Sequence, residues 1–251
     1  MDKIRDINEV IEMMKSNDII AFGGNVLHRS PIQVAYHIAN SNIKDLHIVK
    51  TAMAMEIDIL ALSKSVKKVS AGFISYEGEF GLCNNYRKAV QDGEIQVQEH
   101  ACYSVIAALR AAIYGIPFMP IRGLLGSDLV HTMDYKTVAD PYTGEEIVAI
   151  QAIVPDWGII HVQKADRFGN CEIIGPMYED DIVCRAAKNT IITCEEIVGD
   201  EYFKDKKADI SEVFVKYVVE LPKGASPGYC PGYYGLDKEK INSFKNKGTL
   251  K

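Results

Sequence analysis

Short apolar runs that alternate with amphipathic segments organise the first half of the chain. Four runs are rich in β-branched residues, as is typical of strands, and each is followed by a segment with helical spacing. Strands that alternate with helices pair in parallel, and the helices cover both faces of the sheet. We predict strands at residues 18–22, 46–49, 69–75 and 95–98. The fold class is therefore α/β, with an open, mainly parallel sheet and helices on both faces.

Two later segments predict β-hairpins added to this sheet. Residues 140–144 are a turn signal, Asp-Pro-Tyr-Thr-Gly, between apolar segments at 137–138 and 147–150. Residues 154–175 contain an apolar run with His161, a glycine-bearing turn and a short second strand, which favours a hairpin at the edge of the sheet. His161 is then a hydrogen-bonded histidine of the core or edge. We find no repeat or linker and predict one domain, 1–251.

The charge and the polar composition exclude several classes of partner. The chain has 28 Lys and Arg against 34 Asp and Glu, a net charge of −6, so we expect no nucleic-acid or anionic membrane surface. No apolar run reaches the roughly 18 residues of a membrane helix, and the N-terminus lacks an apolar signal segment. The six cysteines form no C-x-x-C pair and the histidines no metal pattern. We predict a cytoplasmic protein without a bound metal.

The first strand ends at Gly23, Gly24 and Asn25, where glycine allows a sharp turn or close approach to a ligand. Open α/β sheets bind ligands at the carboxyl ends of their strands. Arg29 lies nearby and can bind a carboxylate or phosphate, although a solvated surface arginine is equally consistent with the sequence. Ser30 and the following Pro-Ile-Gln predict a helix with a capping box. The absence of G-x-G-x-x-G argues against a nicotinamide dinucleotide.

Short motifs occur in a consistent order along nearly the whole chain. They are a Gly-Gly turn followed by Arg-x-Pro in 22–38, Tyr-Arg-Lys at 86–88, Gly-Ile-Pro-Phe-Met-Pro at 115–120, Gly-Ser at 126–127, a Pro-Asp start and Gly-Asn turn in 155–170, and Thr-Cys-Glu-Glu-Ile at 193–197. Together they resemble the A (alpha) subunits of family I coenzyme A transferases, in the glutaconate CoA-transferase branch. The resemblance implies the open α/β fold that these proteins share with ribose-5-phosphate isomerase.

The resemblance also implies a two-subunit enzyme that exchanges coenzyme A between an acyl-CoA and a carboxylic acid. In this family a glutamate attacks the acyl-CoA carbonyl, giving an anhydride and then an enzyme–CoA thioester. The glutamate belongs to the B subunit, and the A chain lines the acyl pocket. The implied partner is a B subunit in an α2β2 heterotetramer, with coenzyme A as a substrate and no permanently bound cofactor. Gly23, Gly24, Asn25 and Arg29 would then contact substrate.

Three residues depart from the glutaconate pattern. Glu99 closes strand 95–98, where a B subunit would carry its nucleophile; alternatively, it only favours the helix dipole, worth about 0.3–1 kcal/mol. Arg122 either contacts substrate or forms an ion pair with Asp128. Glu77 stands where glutaconate transferases place a small polar active-site residue, or is a solvated loop residue. Glu99 and Arg122 resemble the coenzyme A hydrolases of steroid ring degradation, whose A subunit has an essential glutamate.

Three functions therefore remain open. The chain is the A subunit of a transferase whose nucleophile lies on the B subunit, or a ring-opening coenzyme A thioester hydrolase subunit with Glu99 catalytic and Arg122 orienting substrate. The third alternative is a non-catalytic partner that shapes the pocket. A change at Glu99 separates the hydrolase from the other two, because only the hydrolase would lose its chemistry.

Overall fold

The apolar runs become strands in the computed structural model, which describes residues 1–247. Along the chain the strands are β1 (Ile19–Phe22), β2 (Leu46–Met53), β3 (Val66–Ile74), β4 (Gln96–Glu99), β5 (Phe118–Ile121), β6 (Lys136–Ala139), β7 (Glu146–Gln151), β8 (Trp157–Asp166), β9 (Cys171–Glu172), β10 (Asn189–Val198) and β11 (Tyr217–Glu220).

Seven of these strands form a parallel sheet in the order β11-β10-β8-β1-β2-β3-β4, and β9 pairs with β8 in the antiparallel direction. The predicted parallel sheet is therefore confirmed. The strand order reverses at β1, which lies between β2 on one side and β8 on the other. Such a reversal opens a crevice at the carboxyl ends of the two central strands.

Helices cover both faces of the sheet, because the buried strands present apolar side chains to each side. The helices are α1 (Ile7–Glu12), α2 (Ile32–Ala39), α3 (Met55–Leu62), α4 (Glu77–Phe80), α5 (Asn84–Gln91), α6 (Cys102–Tyr114), α7 (Leu129–Thr132), α8 (Asp180–Ala186) and α9 (Lys238–Lys247). One core contains side chains of α1, α2, α3, α5 and α9, and a second lies under α6 and α8. Within residues 1–247, no helix combines the length and apolarity that crossing a bilayer requires.

A small antiparallel sheet, in the order β5-β7-β6, lies beside α6. Its β6 and β7 are the predicted hairpin around the 140–144 turn, which is confirmed. Val148 and Ile150 are fully buried against Ala107 and Ala108 of α6. This packing holds the small sheet against α6, which in turn packs on β2 and β3 of the main sheet.

Several local predictions are wrong. The 154–175 hairpin does not lie at an edge, because β8 runs between β1 and β10 and is paired on both sides. Ser30 caps no helix: α2 starts at Ile32 without a side-chain cap, and the Ser30 hydroxyl instead accepts a hydrogen bond from Lys50 Nζ at 2.7 Å. The helical spacing of Ile4, Ile7 and Ile11 predicts that Ile4 belongs to the first helix, but that helix starts at Ile7 and Ile4 forms a bridge with Val218.

Gly158 tests how closely α8 packs on β8. A Cβ there would lie 3.0 Å from Ala187 Cβ and 3.1 Å from the Val183 carbonyl oxygen. We expect Gly158→Val to lower the free energy of unfolding by about 1–3 kcal/mol, because overpacking forces a shift of helix or strand. Gly123→Ala is the control, since nothing lies within 4 Å of its Cβ. Equal urea midpoints for the two variants would contradict the packing.

Candidate active site

The crevice between β1 and β8 is closed at its base by the start of α8. The Gly23 N–H donates to the Ile159 carbonyl at 2.8 Å, which continues the parallel ladder past the end of β1. The Gly24 N–H donates to Asp180 Oδ1 at 2.7 Å. Asp180 is the first residue of α8 and is fully buried. This hydrogen bond therefore fixes the turn after β1 to the start of α8.

Gly23 and Gly24 cannot be replaced by larger residues without a clash, because other parts of the protein lie where a Cβ would be. A Cβ on Gly23 would overlap Asp180 Oδ1. Gly24 has φ +68°, and a Cβ there would lie 2.6 Å from the backbone of His28 and Arg29. The space that was predicted to face a ligand at Gly24 is thus filled by the protein's own backbone, so the glycine pair forms the floor of the crevice.

Arg29 is fully buried, so the alternative of a solvated surface arginine is wrong. Its Nη2 lies 2.6 Å from Asp180 Oδ2 and donates to the Pro176 carbonyl, while Nη1 donates to the His161 carbonyl at 2.9 Å. Burial raises the pKa of Asp180, although Arg29 acts to lower it. The guanidinium is engaged by the protein and joins the β1 turn, β8 and α8.

A second buried ion pair lies next to the first. Lys50 Nζ is 2.7 Å from Glu56 Oε1, and both side chains are fully buried. Lys50 interrupts the apolar run of β2. Glu56 lies in the first turn of α3, a helix that is buried on nearly all sides. Glu179 is hydrogen-bonded to the Thr51 hydroxyl, and burial raises the pKa of Glu179. Charge within apolar runs was the sequence signal for this layer, and our sequence reasoning missed it.

A cavity of about 710 Å³ opens above this charged layer, at the carboxyl ends of β1 and β3. Asn25 and His28 come from the turn after β1, Glu77 follows β3, and Tyr178 and Tyr229 complete the wall. The Tyr229 ring lies 4.5 Å from that of His28, and the Tyr178 ring lies 5.9 Å from it. The aromatic wall and its few polar groups are typical of a small-molecule site.

Backbone strain is concentrated around this cavity. Val26, Glu77 and Tyr178 line it with positive φ angles of 48°, 63° and 51°, and Arg29 beside them has φ 50°. Left-handed backbone is uncommon for any residue with a side chain and is unusual for a β-branched valine. Such strain persists where the surrounding structure imposes it, and it clusters at ligand sites. The cavity is therefore our candidate active site.

His28 is a titratable group of the cavity wall that sequence reasoning missed. Burial and then the charge of Arg29 lower its pKa, while Glu77 acts in the opposite direction. Its Nδ1 is buried and has no hydrogen-bond partner within residues 1–247. The side chain is thus a neutral imidazole at pH 7.

The structure brings together only some of the predicted site residues. Asn25 and Glu77 line the cavity, and Gly23, Gly24 and Arg29 lie beneath it. Glu77 is exposed at the rim. Glu99 and Arg122 lie outside the residues that line this cavity.

Glu99 is exposed at the end of the edge strand β4, where its carbonyl accepts a hydrogen bond from the Tyr135 hydroxyl at 2.8 Å. Arg122 follows β5, and its side chain is 64% exposed. Its Nη2 lies 2.8 Å from Glu145 and 3.7 Å from Asp140, so the predicted ion pair with Asp128 is wrong. Both partners belong to the hairpin that packs beside β5.

His161, Glu195 and Cys230 form a buried group whose donor atoms lie within 4.8 Å of one another, as a metal site would require. Both ring nitrogens of His161 are already engaged, with Thr193 at 2.9 Å and Glu195 at 2.8 Å. Glu195 also accepts a hydrogen bond from Tyr234 at 2.5 Å. His161 is thus the hydrogen-bonded buried histidine predicted from the sequence, and the group fastens the loop that carries Tyr229.

Comparison with known proteins decides the family. Residues 4–221 match the family model described as Coenzyme A transferase. The chain belongs to the coenzyme A transferase family. It is 30% identical to the A-type subunit of glutaconate CoA-transferase from Acidaminococcus fermentans, over 97% of this chain and 82% of that one. The predicted resemblance is confirmed, and the chain is a CoA-transferase subunit of the A type.

Other relatives extend the comparison. An uncharacterized protein of Archaeoglobus fulgidus is 32% identical over 97% of this chain, which spans only 55% of that protein's length. The cholesterol ring-cleaving hydrolase IpdA subunit of Rhodococcus jostii is 28% identical over 95% of this chain and 84% of its own. The crystal structure of the Acidaminococcus glutaconate coenzyme A-transferase superposes with a TM-score of 0.92, at 28% identity, over 99% and 85% of the two chains. The predicted α/β fold is thus confirmed.

The buried Arg29–Asp180 pair can be tested against an exposed neighbour. We expect Asp180→Asn to lower the free energy of unfolding by about 3–5 kcal/mol, because it leaves the Arg29 charge buried without a partner. Asp181→Asn removes a half-exposed charge that faces Arg185 and should cost less than about 1 kcal/mol. Urea unfolding measures both changes, and similar losses would contradict the role of the buried pair.

Proposed function

We propose that the chain combines with a B-type partner and that the pair transfers coenzyme A between an acyl-CoA and a carboxylic acid. The partner supplies the nucleophilic glutamate, and the His28 cavity of this chain binds the acyl group or the acid. The glutamate attacks the acyl-CoA carbonyl and displaces the coenzyme A thiolate, which leaves an acyl anhydride; the thiolate then attacks the glutamyl carbonyl and releases the acid, which leaves a glutamyl–CoA thioester. The incoming acid reverses these two steps, so a difficult exchange is divided into easier ones.

The acidic groups of the cavity carry this proposal. Of the residues that line it, Glu77 and Glu79 are the carboxylates; both are exposed, and Glu79 lies 2.6 Å from Lys238. The buried carboxylates beneath, Asp180 and Glu56, are held by Arg29 and Lys50. A nucleophile must reach the carbonyl unpaired and oriented. Within the described residues, the unpaired carboxylate of the lining is Glu77, which is exposed at the rim with no hydrogen-bond partner to orient it, so the cavity offers a wall for substrate.

The remaining predictions complete the proposal. The assembly is an α2β2 heterotetramer, with coenzyme A as a substrate and no permanently bound cofactor. The chain acts as one domain, 1–251, of which residues 248–251 lie outside the described part. The six cysteines are free thiols, which supports a reducing cytoplasmic location. Asn25 and His28 are the polar groups that would meet the carboxylate or thioester oxygen.

A second candidate is a ring-opening coenzyme A thioester hydrolase. The relative named as a ring-cleaving hydrolase subunit supports it, as does the exposed position of Glu99 at a strand end. In this function Glu99 acts on the substrate directly and Arg122 orients it. A third candidate, a non-catalytic A chain, shares the cavity but predicts no loss of chemistry from any change in it.

Glu99→Gln separates the first two candidates. In the transferase we expect turnover to change by less than about tenfold, the scale of one lost hydrogen bond to a charged group. In the hydrolase the loss should reach at least two decades, since general acid–base work contributes about 10²–10⁴-fold. The chain is co-expressed with the B-type chain, and mass spectrometry locates any glutamyl–CoA adduct.

Glu94→Gln is the matched control, since Glu94 is exposed just before β4 and pairs with Lys64. An adduct on the partner with nearly unchanged rates in Glu99→Gln supports the transferase. Absence of an adduct together with a hundredfold loss at Glu99, but not at Glu94, would replace it by the hydrolase.

His28→Gln tests the cavity itself. We expect turnover by the complex to fall at least about tenfold, while the melting temperature changes little, because the Nδ1 of His28 supports no other group in the described part of the chain. His37→Gln, on α2, is the control for replacing a partly buried histidine. Equal rates for the wild type and both variants would remove the cavity from the reaction and favour a non-catalytic chain.

A further inference from the structure

A second cavity, of about 440 Å³, lies between the main sheet and the small antiparallel sheet. It is lined by Ile19 at the start of β1 and His47 near the start of β2, whereas the His28 cavity follows the end of β1. Strands rise about 3.3 Å per residue, so Ile19 and Gly23 lie roughly 13 Å apart. The two cavities are therefore separate, and neither the family nor the proposed function assigns the second one.

Lys68 gives this cavity an unbalanced positive charge. It lies on β3 beside His47 of β2, and its side chain is partly buried. Within residues 1–247, no carboxylate lies within 4.0 Å of its ammonium group and no hydrogen bond satisfies it. The other charges of the lining, Asp134 and Lys136, lie 2.6 Å apart and neutralise each other. One unpaired positive charge remains in a chain whose net charge is −6.

The imidazoles beside Lys68 add polarity without charge. Burial, and then the charge of Lys68, lower the pKa of both His47 and His100 to about 4, so both are neutral at pH 7. His100 is only 5% exposed, and its Nε2 has no hydrogen-bond partner within the described residues. Its Nδ1 lies 3.0 Å from the Tyr135 hydroxyl. Because Tyr135 donates its only proton to the Glu99 carbonyl, and the nearby Ser104 hydroxyl donates to the Ala101 carbonyl, the imidazole proton of His100 resides on Nδ1 and Nε2 is a buried acceptor without a donor.

Gln98 supplies a neutral donor. Its Oε1 accepts a weak hydrogen bond from Ser70 at 3.4 Å, which leaves the amide N–H groups unassigned. Opposite these polar groups, the cavity wall is apolar and contains Ile19, Ile150 and Ile153. An unpaired ammonium, a neutral amide donor and an apolar wall suit a ligand with one negative charge and a short hydrocarbon chain.

We propose that this cavity binds a short-chain monocarboxylate. The carboxylate lies at Lys68 and accepts a hydrogen bond from the Gln98 amide, and the hydrocarbon chain packs on Ile19 and on the isoleucines that line the cavity. Phosphate at pH 7 is partly a dianion and lacks an apolar part, so it matches the single charge and the wall less well. This site is independent of the transferase reaction.

Sodium butyrate is the probe, titrated into the full 251-residue chain at constant ionic strength. NMR resonances of the histidine side chains report where it binds. We expect saturable shifts at His47 and His100 and none at His28. Butyramide, which has the same shape without the charge, should bind at least tenfold more weakly. Shifts confined to His28, or an absence of saturable shifts, would overturn the proposal without affecting the transferase assignment.

Lys68→Met is the decisive variant, and Lys67→Met is its matched control, because Lys67 is the exposed neighbour on the same strand. We expect Lys68→Met to weaken butyrate binding about tenfold to a hundredfold and Lys67→Met to leave it unchanged. Equal affinities in the two variants, or tighter binding of inorganic phosphate than of butyrate, would overturn the assignment. Should Lys68→Met fail to fold, the wild-type shifts at His47 and His100 still decide it.

Discussion

The ion pair between Arg29 and Asp180 holds together the part of the molecule on which its site depends. Both side chains are fully buried at the crevice between β1 and β8, and Asp180 also accepts the Gly24 N–H. A buried pair adds little net stability compared with apolar packing, but loss of one partner leaves a charge in a medium of low polarity. The pair therefore specifies one arrangement of the turn after β1, the start of α8 and the central strand β8, because any other arrangement would leave a buried charge without a partner.

The strained backbone above the pair follows from this rigidity. Positive φ angles at Val26, Glu77 and Tyr178 each cost free energy that a flexible loop would release by relaxing. The turn after β1 is held by Asp180, and the loop carrying Tyr229 is held by hydrogen bonds that the Lys223 N–H and the Tyr234 hydroxyl donate to Glu195. The cavity wall is thus preorganised before any substrate or partner arrives, which suits a chain that contributes surface and orientation to a reaction.

Charge is arranged differently at the two ends of the sheet. At the carboxyl ends, Arg29 and Lys50 are matched by buried carboxylates, so the floor of the His28 cavity is polar but neutral. At the amino-terminal side, Lys68 lacks a partner in the described part of the chain and lies beside two neutral imidazoles. The first arrangement stabilises a wall, whereas the second leaves a charge for a ligand to complete. The same sheet therefore presents two cavities with different chemistry.

The sequence by itself determined the alternation of strands and helices, the hairpin around 140–144 and the coenzyme A transferase family, because periodicity and motifs are local properties of the chain. Only the tertiary structure decided that β8 is central, that Arg29 is buried and that Glu99 lies outside the His28 cavity. The physical reason is distance along the chain: 151 residues separate Arg29 from Asp180. A side chain's burial and charge state depend on such partners, and no local pattern encodes which of them will meet.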